Sequence, residues 1–102
     1  MVAISYAARA RKDLLELWRW YAGKGGLTLA DAIIDRIEQR VVPLENYPQM
    51  GSPRPDIAPS ARVLVVHRWL VLYEFVDSRV RVVRIVDGAT DLRRLVWKDE
   101  MD

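Results

Sequence analysis

The residues of this chain with the means to do chemistry are Arg62, His67, Arg68, Arg84 and Glu45. Cationic side chains beside a general base suit one reaction in particular. RNA is cut without a metal when cations stabilise the charged transition state and a base activates the 2′-hydroxyl. Each residue also has a plainer reading. His67 alternates with Val63 and Val65 and so lies against an apolar face. Arg84 shares its strand side with Val80, Val82 and Val86, as a paired structural arginine would. Arg62 and Arg68 share a side only if their strand runs without a bulge.

Other chemistries find less support. One histidine and no cysteine leave only carboxylates as metal ligands, and Asp31, Asp35 and Glu38 read as solvent-facing helix positions, so no metal or other cofactor is expected. The serines at 5, 52, 60 and 78 lack a glycine-flanked elbow, and His67 has no second histidine to share a relay. Gly23, Gly25 and Gly26 follow a helix instead of opening one after a strand, so they read as a helix terminus and not as a phosphate cradle.

The chain of 102 residues, half of them hydrophobic, is read as one domain over 1–102. Net charge is +2, yet residues 60–98 hold eight Lys/Arg against four Asp/Glu, an imbalance that favours an acidic partner or a polyanion. No run of ~18 uncharged apolar residues exists to span a membrane. Arg9, Arg11 and Lys12 stand where a signal peptide needs its apolar core. The expected location is the cytoplasm.

The elements that must position these residues follow from periodicity. Residues 2–6 alternate as a short first strand. Ala10, Leu14, Leu17, Trp18 and Tyr21 then form one helical stripe, with Asp13 assigned outside it, and the glycines at 23–26 end the helix. A second helix is predicted from Thr28, with Asp31 as a capping analogue, and Pro43 and Pro48 limit its extent. Three strands follow at 62–68, 69–76 and 79–86, with Asp77-Ser78 as a tight hairpin. The tail from 91 to 102 is predicted to form a short helix. The fold class is therefore α+β: a short N-terminal strand, an antiparallel two-helix hairpin, then a three-stranded antiparallel sheet with the helices on one face. Trp69 and Trp97 suit either a partner contact or a cover for the core.

In order and spacing, several segments resemble the RelE/ParE superfamily of toxins from type II toxin–antitoxin systems, and its ParE branch in particular. They are residues 4–8 through 13–18, then 32–38, Leu44-Glu45-Asn46-Tyr47-Pro48-Gln49-Met50-Gly51-Ser52-Pro53-Arg54, Arg62-Val63-Leu64, Tyr73, 80–86 and 88–92. The resemblance implies a small toxin that inhibits DNA gyrase by binding, is not an enzyme, and forms a hetero-oligomer with a ParD-like, DNA-binding antitoxin. Arg62, Arg68, Arg81, Arg84 and Trp69 are the expected antitoxin-binding positions, and Arg93, Arg94 and Trp97 the target-binding ones. The alternative is a RelE-like, ribosome-dependent mRNA endonuclease using Arg62, His67, Arg68 and Arg84. Relatives of that kind carry a basic residue after the last strand and a tyrosine or histidine near the C-terminus. Here Asp87 and Thr90 occupy that region and no tyrosine follows Tyr73.

Overall fold

The computed structural model describes residues 1–97. Strand β1 (Ala3–Tyr6) leads into helix α1 (Ala8–Gly25), which therefore runs through Gly23 and Gly25. Only Gly26, with φ 88°, takes the left-handed conformation that stops it. Helix α2 (Leu27–Val41) starts at once, without the side-chain cap expected around Thr28. Asp31 instead accepts a 2.8 Å hydrogen bond from Trp18 Nε1, tying α2 back to α1. Pro43 enters the first turn of a 3₁₀ segment (Val42–Glu45), where its missing amide costs nothing.

The sheet departs from the three-stranded expectation. It has five strands in the order β1-β5-β4-β3-β2, comprising β2 (Ser52–Pro53), β3 (Ala61–Val66), β4 (Trp69–Val76) and β5 (Arg79–Asp87). Strand β1 lies parallel to β5, with Ile4 opposite Val80 and Tyr6 opposite Val82. Pro53 is tolerated because β2 is an outer strand, where a missing N–H breaks no ladder. The β4–β5 turn is Asp77-Ser78 as expected, and both residues take positive φ (54° and 59°), as a two-residue turn of the I′ kind demands. A second two-residue turn, His67-Arg68, joins β3 to β4 and removes both residues from the strand predicted over 62–68. At the C-terminal end, Leu92–Arg94 forms a single 3₁₀ turn and residues 95–97 are not helical, which corrects the helix expected there, while its part from 98 to 102 lies outside the described residues.

Helices α1 and α2 cover one face of the sheet. Ala10, Ile33, Ile37, Val41 and Leu44 meet Leu64, Val66, Trp69, Val71, Tyr73, Val80, Val82 and Ile85 in one buried cluster. Ile85 joins this face because β5 carries one extra residue. Leu72 faces Arg84 and Tyr73 faces Val82, leaving Val83 unopposed, and the bulge reverses the alternation that the sequence suggests.

The Pro/Gly segment after the 3₁₀ turn is held rigidly against this core. Tyr73 donates its hydroxyl to the Pro48 carbonyl (2.9 Å) and accepts from Gly51 N–H (2.8 Å). A Cβ on Gly51 would stand 2.6 Å from the Tyr73 ring and 2.8 Å from the Val63 carbonyl, so only glycine fits. Replacing Gly51 by alanine is expected to cost about 1–3 kcal/mol by overpacking. Tyr73→Phe should cost a similar ~1–3 kcal/mol through the orphaned Gly51 amide. Urea unfolding midpoints of the two variants check both values.

Candidate functional site

Where β1 ends at Tyr6, β5 continues past Val82 with its outer edge uncovered. Asp13 of α1 fills that place. Its Oδ2 accepts from the backbone N–H of Ile85 (2.9 Å) and from Arg84 Nε (2.8 Å), while Oδ1 accepts from Arg84 Nη2 at 3.2 Å. Arg84 uses its remaining nitrogen, Nη1, to hold the Val96 carbonyl at 3.0 Å. Both side chains are less than a tenth exposed, and Arg9 Nε stands a further 3.9 Å from Asp13. The pair is a two-point fork between planar guanidinium and carboxylate, the strongest geometry for such groups. Arg84 is thus spent on the scaffold, with no group left to meet RNA or an antitoxin.

The other expected site residues separate in the same way. Arg62 points Nη1 at the carbonyls of Gln49 (3.0 Å) and Gly51 (2.7 Å), so it helps to hold the Pro/Gly segment. His67 is exposed on the β3–β4 turn with φ 55°, and does not lie along the apolar face. Five residues of β3 rise separate it from Arg62, roughly 17 Å. Arg68, on the same turn, pairs with Asp87 at 3.0 Å. The Ala89 amide and then Arg68 hold the Asp87 carboxyl below its ordinary value. Trp69 is only 4 % exposed and meets Tyr21 edge-on at 5.7 Å, so it covers the core and offers no surface to a partner. Arg81 lies half-buried on β5, opposite Glu74 and Ser5. Glu45 contributes its carbonyl to Val2 N–H, away from the arginines of the strands.

Two further expected site residues lie on the surface. Arg93 and Arg94 are about nine-tenths exposed and lean on Asp91 at 3.1 and 3.7 Å. Trp97 is half-buried nearby in sequence. Among the described residues no three His, Cys, Asp or Glu side chains gather into a metal-holding group, and none of the helices is long and apolar enough to cross a membrane. The arrangement is a set of engaged arginines inside a rigid frame with a few exposed ones outside it, suited to binding.

Sequence reasoning missed Asp13. Its signal was present: Ala10, Asp13 and Leu17 are spaced by three and four, so the carboxylate sits within the apolar stripe and needs a buried partner. Arg84, which shares its strand side in the sequence with Val80, Val82 and Val86, is that partner.

Comparison with known proteins agrees with this fold. A family model described as "ParE toxin of type II toxin-antitoxin system, parDE" matches residues 4–92. The chain is 34% identical over 86 residues to Toxin ParE3 of Caulobacter vibrioides, covering 84% of this chain and 86% of that protein. A solved structure, "Chromosomal ParDE TA system from P. aeruginosa", superimposes with a TM-score of 0.76 at 21% identity, covering 85% of this chain and 96% of the other. At that identity the likeness speaks for the fold.

Breaking the ion pair from one side should be far worse than removing it. Asp13→Ala leaves the Arg84 charge and the Ile85 amide without an acceptor, an expected loss of about 3–5 kcal/mol. The double variant Asp13→Leu/Arg84→Met should recover part of that loss. Urea denaturation of the single and double variants measures the difference.

Proposed function

The chain belongs to the ParE toxin family of type II toxin–antitoxin systems, and from that premise we propose that it inhibits DNA gyrase by binding and is neutralised by a ParD-like antitoxin. The reading places it in the cytoplasm, in a hetero-oligomer with that antitoxin. One observation carries the choice of binding over cleavage. The four residues that a metal-free ribonuclease would use are dispersed: Arg62 on loop carbonyls, His67 on an exposed turn, Arg68 on Asp87, and Arg84 buried against Asp13. A transition state for phosphodiester cleavage needs base and cations around one phosphorus, within hydrogen-bond reach.

Binding asks less of the chain. An antitoxin segment that folds on its target can wrap a small rigid domain, and acidic side chains in it would meet Arg68 on the β3–β4 turn and Arg81 on β5. Arg62, Arg84 and Trp69, first expected at this interface, act behind it by fixing the loop, the β5 edge and the core. For the target, Arg93 and Arg94 are open to an acidic surface, about nine-tenths exposed, with Trp97 close in sequence.

Purified protein is expected to block supercoiling by gyrase, and to leave translated mRNA uncut in primer-extension mapping. Uninhibited supercoiling at large molar excess would remove gyrase as the target, and new cut sites would establish the endonuclease instead. The double variant Arg93→Ala/Arg94→Ala should raise the concentration for half-inhibition about tenfold, as loss of interface charge commonly does. Its thermal midpoint should stay within a few degrees of the parent's, because both side chains are exposed.

A further inference from the structure

Strand β1 has β5 on one side and no strand on the other. Along that outer side, between β1 and the helices, lie two concavities of about 420 and 250 Å³ that share Ile4, Tyr6 and Glu38 and so form one groove. Strand addition is blocked at both ends of this short edge. The Val2 N–H is already bonded to the Glu45 carbonyl (2.8 Å), and the Tyr6 carbonyl to Arg11 Nη1 (2.6 Å). The groove is therefore built to receive side chains.

Its walls are apolar where Ile4, Leu14 and Val42 line it, and Val42 is 55% exposed. Its charge is anionic. Glu38 and Glu45 both line it, and among the described residues neither makes an ion pair. Arg11, at one end, already serves the Tyr6 carbonyl. The Tyr6 hydroxyl registers this environment: burial, and then the Glu38 carboxylate, push it up to about 12. An apolar cleft with two free carboxylates, on a chain whose strands and tail are rich in arginine, has the sign opposite to its surroundings. Such a position favours a cation from a partner and rejects an acid, which fixes register and discriminates between partners.

We propose that this groove receives a lysine or arginine side chain of the antitoxin, with Glu38 and Glu45 taking its charge and Ile4, Leu14 and Val42 packing its apolar neighbours. The inference rests on the antitoxin reading above and adds to it a specificity position. A wrapping segment that is acidic toward the arginines and basic at this one groove can dock in a single register.

The test uses the full-length chain and the antitoxin encoded with it, measured by calorimetry at low and high salt. Glu38→Lys/Glu45→Lys should weaken the complex at least tenfold at low salt, and the loss should shrink at high salt as screening sets in. The milder Glu38→Gln/Glu45→Gln variant should lose about threefold while retaining the parent's circular dichroism and melting temperature, which separates recognition from folding. A single Lys→Glu or Arg→Glu change in the antitoxin should restore binding to the lysine variant. Binding by both variants within twofold of the parent, with the parent complex intact, would overturn the inference. Absence of any complex with the parent chain would remove the antitoxin reading itself, and this inference with it.

Discussion

β5 outruns its neighbour. After Val82 it continues to Asp87 with β4 on one side and no strand on the side β1 occupied, and an uncovered edge amide inside a folded domain costs as much as a lost hydrogen bond. The Asp13 carboxylate supplies the missing acceptor. In doing so it carries a negative charge into the interior, which desolvation would make expensive were it alone. Arg84 neutralises it through two hydrogen bonds and then extends to Val96, so three parts of the chain, near residues 13, 85 and 96, meet at one carboxylate and one guanidinium. The placement of α1 on the sheet, the path of β5 past its bulge and the return of the tail all depend on that pair.

The same economy governs the other arginines. Arg62 and Tyr73 act together on the segment from Pro48 to Gly51, with four hydrogen bonds and one close approach directed at its backbone. A loop held in this way keeps its shape whether or not a partner is present, which lowers the ordering cost of any complex that uses it. Arg93 and Arg94 are among the arginines that hold no backbone group, and they stand outside the frame. Charge in this chain is thus divided between cations that hold backbone and cations that face solvent, and a count of basic residues does not distinguish them.

That division explains what could be read from the residues alone. The two helices and the Asp77-Ser78 turn follow from local periodicity and turn chemistry, and they stand. The parallel seat of β1 does not, because a four-residue strand contains no information about which edge it will join. The bulge at Val83 is similarly invisible, and by reversing the alternation it moved Ile85 into the core and Arg84 toward Asp13. His67 and Arg68 read as strand residues because nothing in their types announces a turn; histidine tolerates the left-handed region without being a signal for it. Trp69 could be placed on either side of the surface by sequence, and Tyr21 decides the matter by packing on it.

A fold of this kind sets its function by what the frame leaves over. Once Asp13–Arg84, Arg62 and Tyr73 are committed to backbone, the surface residues can change without loss of the architecture, and the same frame can in principle carry cleavage or binding. Cleavage needs several groups converged on one atom, a demand that turns and strand ends must meet together. Binding needs only a rigid surface with patches of opposite sign. Here the exposed arginines at 93 and 94 and the anionic groove along β1 are separate surfaces on one frame, the first proposed for an acidic target and the second for a basic side chain. For an antitoxin segment, Arg68, Arg81 and this groove would be contacts of opposite sign, and a shift in register would bring like charges together at one of them.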